Sequence, residues 1–287
     1  MSGPSVAPVS MILGRHRERL AVVAGGLLVV AAGVLLFLYI QPQVARGRIQ
    51  VFAHRGASAY APENTLAAFK KAIELRADWL EMDVQQTSDG RLVVFHDLRL
   101  ERTTNGHGAL RDLSLDEVRQ LDAGAWFGAE FKGEPVPTFE EAVALARQAG
   151  IRIFPEVKDP RFYPGIEERM AATLHAYEFE DNTIVQSFDA GSLERLRQVN
   201  PRLRLAALYT ATNPLKGDPP ARADVIGPAW ELVASDRGLV RDAHAAGRQV
   251  VVWTVDAPAA TKQMIEARVD GIITNRPDVV RSILEER

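Results

Sequence analysis

The chain has 287 residues, 47% hydrophobic and 25% charged, the balance of a globular domain rather than a disordered or fibrous one. Its net charge of -3 supplies no bulk attraction for nucleic acid or another polyanion. The absence of cysteine excludes disulfides, zinc–thiolate centres and cysteine nucleophiles.

Residues 1–19 hold little but Pro, Ser, Gly and charge and read as a short disordered tail. Residues 20–40, LAVVAGGLLVVAAGVLLFLYI, form an uncharged apolar run. As a helix this run spans roughly 31 Å, against a bilayer core of about 30 Å. It therefore predicts one transmembrane helix, with Tyr39 as an interfacial aromatic and Pro42 ending it. A cleaved signal peptide is the rival reading, but its apolar region is normally about 7–15 residues long. Arg15, Arg17 and Arg19 precede the run and Arg46 and Arg48 follow it, a slight excess that favours a non-cytoplasmic catalytic domain. Residues 41–48 make a short linker, so the remaining chain stays near the membrane surface.

Residues 49–287 are the length of one (β/α)8 barrel and carry the alternation one requires. Apolar strand patterns fall at 49–53, 79–84, 92–95, 151–157, 183–186, 203–208, 224–226, 249–255 and 271–273. Helical spacing falls at 64–76, 165–177, 190–199, 235–246, 258–267 and 278–285, and Thr138 with Glu141 predicts a capping box before another helix. No helix is predicted around 212–222. Residues 97–136 are glycine-rich and irregular, with one short helix after Ser114, and read as an insertion over the barrel mouth.

In such a barrel, function gathers at the carboxyl ends of the strands. Those ends carry His54-Arg55, Glu81 and Asp83, His96-Asp97, Glu156 and Lys158, Gln186, Trp253 and Thr274-Asn275. On a strand, Glu81 and Asp83 share one face while Leu80, Met82 and Val84 share the other. Two carboxylates that close repel unless a cation lies between them or one is protonated. Glu156, which shares a face with Lys158, supplies a third, and oxygen ligands favour one hard divalent cation, Mg²⁺ or Ca²⁺. Arg55 and Lys158 have the wrong charge for ligands and suit a substrate phosphate.

HRG at 54–56, PENT at 62–65, E-x-D-V at 81–84, DG at 89–90, HD at 96–97, RTT at 102–104, E-x-K at 156–158, QSF at 186–188 and WTV at 253–255 resemble the glycerophosphodiester phosphodiesterase family. The resemblance spans essentially all of 50–285. It implies a TIM barrel and metal-dependent hydrolysis of glycerophosphodiesters to glycerol 3-phosphate and an alcohol. By motif position it further implies metal ligation by Glu81, Asp83 and Glu156, acid and base roles for His54 and His96, and phosphate contact by Arg55 and Lys158. Gln186 and Trp253 are expected to line the substrate. Two positions depart from the family's pattern: Asp256 follows WTV where Asn is frequent, and Asn275 follows Thr274 where Asp is common. From their place at the rim, both are expected to bear on substrate fit more than on chemistry. Which histidine is acid and which is base is left open, as is the choice between the glycerol 2-hydroxyl and water as attacker.

Two alternatives stand beside this reading. One is the same chemistry on a lysophospholipid, suggested by the short linker and favoured by any apolar groove in the 97–136 insertion. The other is a non-catalytic, membrane-tethered binding module; keeping both histidines and all three carboxylates argues against it.

Overall fold

The computed structural model describes residues 48–214 and 223–286. The predicted tail and transmembrane helix, and all of the linker but Arg48, lie outside the described residues.

Among the described residues nine strands follow one another: β1 Gln50–Ala53, β2 Trp79–Gln86, β3 Leu92–Val94, β4 Arg152–Val157, β5 Ile184–Ser187, β6 Arg204–Tyr209, β7 Val225–Pro228, β8 Gln249–Val252 and β9 Gly271–Thr274. Eight of them pair in parallel, in the order β1-β2-β4-β5-β6-β7-β8-β9, and β9 returns to β1 to close a TIM barrel. Helices pack outside: α1 Leu66–Glu74, α2 Leu115–Val118, α3 Phe139–Ala149, α4 Ile166–Ala176, α5 Ala190–Val199, α6 Trp230–Ser235, α7 Leu239–Ala245, α8 Pro258–Glu266 and α9 Pro277–Glu285. The capping box before α3 forms from Thr138 and Glu141, and Gly150 ends that helix in the left-handed conformation.

Two sequence expectations are corrected. The apolar run at 92–95 is not a barrel stave. β3 lies antiparallel on the outer half of β2, with Val84 opposite Val94 and Gln86 opposite Leu92. Only residues 87–91 separate the two strands, far too few for the crossover of a dozen or more residues that a parallel pair needs. The helix expected at 235–246 is α7, which starts four residues later at Leu239, and α6 before it was not expected. The break between them falls at Asp236–Gly238, where the Gly238 N–H donates to Asp236 Oδ1 at 2.8 Å.

The barrel interior is filled by one apolar side chain from each stave: Phe52, Trp79, Phe154, Ile184, Ala206, Val225, Val251 and Ile273. Phe52 stacks on Trp79 with ring centroids 5.2 Å apart and meets Phe154 edge-on at 4.9 Å. Because strand side chains alternate, the residues two places further along each stave face the same interior one layer higher. Those residues are His54, Glu81, Glu156, Gln186, Leu208, Gly227, Trp253 and Asn275. Asp83, Lys158 and Phe188 lie two places further again. The change from an apolar floor to a polar layer occurs within one step of the pleat.

The insertion is not a second domain. Val93, Phe95, Leu100, Leu110, Val118, Ala123 and Val136 form a small core of their own beneath it. Ser114 and Glu117 cap α2 reciprocally, as the sequence indicates.

Candidate active site

Nine of the strand-end residues singled out in the sequence line one cavity, His54, Arg55, Glu81, Asp83, His96, Glu156, Lys158, Gln186 and Trp253, whereas Asp97, Thr274 and Asn275 do not. Phe188, Leu208 and Ile273 complete its apolar side. Phe188 meets Trp253 edge-on at 5.4 Å, and the Trp253 indole N–H donates to the Gly227 carbonyl at 2.7 Å.

The first turn after β1 is shaped by a left-handed pair, Arg55 at φ 52° and Gly56 at φ 83°. A Cβ on Gly56 would lie 2.7 Å from the backbone carbon and Cβ of Ala68, so only glycine lets the turn pack on α1. The turn aims the Arg55 N–H at Glu81 Oε2, 2.7 Å away, and its guanidinium at Glu63 and Asp83, at 2.8 and 3.3 Å. Asn64, also left-handed, donates its amide to Asp83 Oδ2 at 2.8 Å and accepts from the Asp83 N–H at 3.2 Å.

One oxygen each of Glu81, Asp83 and Glu156 lies within 4.8 Å of the others, and all three residues are buried. Lys158 Nζ sits 3.1 Å from Glu156 and 3.5 Å from Asp83. Gln186 Nε2 donates to Glu81 Oε1 at 2.9 Å. Burial raises Glu81 well above the usual carboxylate range, and Asp83 beside it adds to the rise. Burial likewise pushes Glu156 up to about 7, against the pull of Lys158 and with a further push from Asp83. Asp83 goes the other way: burial opposes its ionisation, but Lys158 and Arg55 hold it well below the usual range. Three hard oxygen donors, two of them held back from ionising in the absence of further positive charge, fit a divalent cation.

The two imidazoles reach the cavity by different routes. His54 ends a barrel stave. His96 follows β3, which comes back down onto the rim, with the Phe95 N–H donating to the Asp83 carbonyl at 2.9 Å. Buried Gln85 holds that descent: its amide nitrogen lies 2.7–2.9 Å from the carbonyls of Phe95, His96 and Asp97, while its oxygen accepts from the Tyr163 hydroxyl at 2.5 Å. Nδ1 of His96 meets Asp97 Oδ1 at 2.5 Å, and Arg102 clamps Asp97 at 2.5 and 3.0 Å. Arg102 also grips both oxygens of Glu63, at 2.7 and 2.8 Å, and so ties the insertion to Arg55. Asp97 is lowered to about 2 although burial opposes this, because Arg102 and His96 bond to it.

Nδ1 of His54 meets an amide instead, Asn275 Oδ1 at 2.7 Å. Asn275 in turn donates from Nδ2 to Asp256 Oδ2 at 2.6 Å. The two departures from the family's pattern thus contact each other and the catalytic layer. They lie at the rim, as expected from the sequence, and Asn275 also contacts the histidine, because closure of the barrel brings residue 275 beside residue 54. Burial, with Arg55 adding to it, lowers His54 to about 4, and burial also lowers His96.

Sequence reasoning gave no role to Asn64, Glu63, Arg102 or Gln85. The first three lie inside the PENT and RTT motifs, which carried the signal without its geometry. Gln85 had none: it sits on β2 between Val84 and Gln86 and is fully buried.

An acidic triad that could hold a metal ion thus lies beside two imidazoles and two cations at the carboxyl ends of a parallel barrel. Residues 54–279 match the profile of the Glycerophosphoryl diester phosphodiesterase family. A glycerophosphodiester phosphodiesterase of Caldanaerobacter subterraneus is 39% identical over 82% of this chain and 98% of its own length. The crystal structure of one from Agrobacterium tumefaciens superposes with a TM-score of 0.71 at 29% identity, over 82% of this chain and 99% of the other. A phosphodiesterase from Oleispira antarctica, solved in complex with the product sn-glycerol-3-phosphate, superposes with a TM-score of 0.73 at 29% identity, over 82% of this chain and 96% of the other. The chain belongs to the glycerophosphoryl diester phosphodiesterase family.

Proposed function

We propose that this enzyme hydrolyses glycerophosphodiesters to sn-glycerol 3-phosphate and an alcohol, using one divalent cation, Mg²⁺ or Ca²⁺, and two histidines in unlike roles. The observation that carries the reading is the convergence of Glu81, Asp83 and Glu156 with His54 and His96 in one cavity, in a chain of this family.

Glu81, Asp83 and Glu156 would hold the cation, which when bound neutralises charge on the phosphoryl oxygens. Lys158 and Arg55 border the same space and add fixed positive charge where the transition state gathers negative charge. The partners of the two rings divide the proton work. His96 lies against the Asp97 carboxylate, which favours its imidazolium, so His96 donates a proton to the departing alkoxide. His54 lies against a neutral amide, so it accepts the proton of the attacking hydroxyl. The attacker is the glycerol 2-hydroxyl or water, and a substrate lacking that hydroxyl separates the two routes. Phe188, Leu208 and Trp253 form the apolar wall against which the glycerol carbons or the alcohol rest.

Part of the insertion's apolar surface fills a core of its own, whereas Trp126 stays exposed with Phe127 edge-on to it, so the paired assay below is what separates the small diester from a lysophospholipid. The apolar run 20–40 would hold the barrel at a bilayer, on its non-cytoplasmic side; protease protection in sealed vesicles tests that placement. The function is tested by release of glycerol 3-phosphate from glycerophosphocholine, beside lysophosphatidylcholine, with and without chelator. The expected result is turnover of the diester that chelation abolishes and added cation restores. Turnover indifferent to chelation, or confined to the lysolipid, overturns the proposal.

A further inference from the structure

The structure contains a chain of groups behind His54 that the reaction scheme does not use. Asn275 Oδ1 lies 2.7 Å from His54 Nδ1 and 2.6 Å from the Ser58 hydroxyl, which also lies 2.8 Å from the His54 carbonyl. Beyond it, Asp256 accepts from three donors: the Asn275 side-chain amide at 2.6 Å, the Asn275 N–H at 2.8 Å and the Thr274 hydroxyl at 3.0 Å.

The orientation of the Asn275 amide decides the tautomer of His54. An amide presents an oxygen on one side and an NH₂ group on the other, and the two differ only in what they bond to. A carboxylate can only accept, so the atom 2.6 Å from Asp256 must be the NH₂ group. The oxygen then faces the imidazole and requires Nδ1 to carry its proton. A neutral ring protonated on Nδ1 has its lone pair on Nε2, the nitrogen left to act as a base. Turned the other way, the amide would set oxygen against carboxylate and drive the proton to Nε2, leaving the ring unable to accept one there.

We propose that Asp256 and Asn275, with Ser58, form a positioning relay that fixes His54 as its Nδ1–H tautomer and so presents Nε2 as the proton acceptor. This rests on the reading of His54 as the general base. Asp256 and Asn275 are positioning residues: neither touches the reacting atoms. The contrast with His96 follows from chemistry. A carboxylate directly on the ring, as at Asp97, supports an imidazolium, whereas an amide whose orientation is set by a carboxylate one step away selects a tautomer without placing an opposite charge on the ring.

The decisive experiment is nitrogen NMR of the full chain labelled with ¹⁵N-histidine, the His54 signals assigned by their loss in H54N. Three proteins are compared: the wild type, Asp256→Ala, and the exchange D256N/N275D, in which the new amide at 256 can donate to the new carboxylate at 275. The wild type is expected to show a protonated Nδ1 and an unprotonated Nε2. Asp256→Ala releases the amide, so the Nε2–H tautomer appears and kcat falls at least about tenfold with KM little changed; a triad histidine left in the wrong tautomer loses about 10⁴. The exchange restores the Nδ1–H tautomer, but with a carboxylate on the ring, so the acid limb of its kcat/KM should move to higher pH than in the wild type. An Nε2–H tautomer in the wild type, an Nδ1–H ring and undiminished kcat in Asp256→Ala, or failure of the exchange to restore the tautomer each overturns the relay. The tautomer is read without substrate, so an Nδ1–H ring in a protein inactive on glycerophosphodiesters would sink the proposed function and leave the relay standing.

Discussion

Gly56 joins the stability of the barrel to the placement of His54 and Arg55, and replacing it with alanine separates two costs. The first is conformational: at φ 83° an L-residue pays about 1–2 kcal/mol to sit in the left-handed region. The second is steric: the new Cβ would lie 2.7 Å from the Ala68 backbone carbon and Cβ and 2.8 Å from its carbonyl oxygen, none of which is a flexible side-chain end. Overpacking of that kind costs about 1–3 kcal/mol, so Gly56→Ala should lose about 2–5 kcal/mol in all. Gly150 is the control. It is left-handed at φ 65° but has nothing within 4 Å of an added Cβ, so Gly150→Ala carries only the first cost, about 1–2 kcal/mol. Urea unfolding followed by tryptophan fluorescence measures both, and the difference isolates the overlap. A displaced turn also moves His54 and Arg55, so kcat/KM should fall about 10²-fold in Gly56→Ala and stay near wild type in Gly150→Ala. Equal destabilisation of the two variants would refute the packing argument. A destabilised but fully active Gly56→Ala would refute the link from turn to site.

Other expectations follow from the same geometry. Lys158→Met removes the cation 3.1 Å from Glu156 and 3.5 Å from Asp83, and denaturant unfolding should show a loss of about 3–5 kcal/mol, the usual result of breaking one side of a buried pair. Gln85→Leu strands the carbonyls of residues 95–97 and should cost about 1–3 kcal/mol while lowering kcat more than it changes KM. Asp97→Asn removes the carboxylate behind His96 and should lower kcat by about 10²–10⁴. A base works unprotonated, and burial lowers His54 to about 4, so the acid limb of kcat/KM should fall as pH drops through that range. An acid limb at or above the ordinary imidazole value of about 6.5 would contradict the assignment of His54.

Much of this was legible in the sequence because strand periodicity is simple. Alternate residues on a stave face the same way, so E-x-D on β2 and E-x-K on β4 forecast convergent side chains without any coordinates. The histidines were legible as chemistry but not as geometry. His96 was placed at the end of a stave, whereas it arrives on a returning hairpin, a distinction that depends on loop length rather than on apolar pattern. Asn275 and Asp256 were placed at the rim, where they lie, but the predicted barrel does not say which side chain of the last stave meets His54 on the first. Closure of the barrel creates that adjacency, joining residues 221 positions apart. Gln85 escaped notice for a related reason: its three acceptors lie across the hairpin, and nothing local marks a glutamine as their donor.

The eight-residue apolar floor has a kinetic corollary. Phe52, Trp79 and Phe154 pack against one another across the barrel, so the candidate site above them is approached from the carboxyl ends of the staves. Whatever enters must depart by the same doorway, and the fragment held deepest has to wait until the shallower one has gone. Egress therefore has a built-in sequence, dictated by a patch of hydrocarbon that takes no part in the reaction.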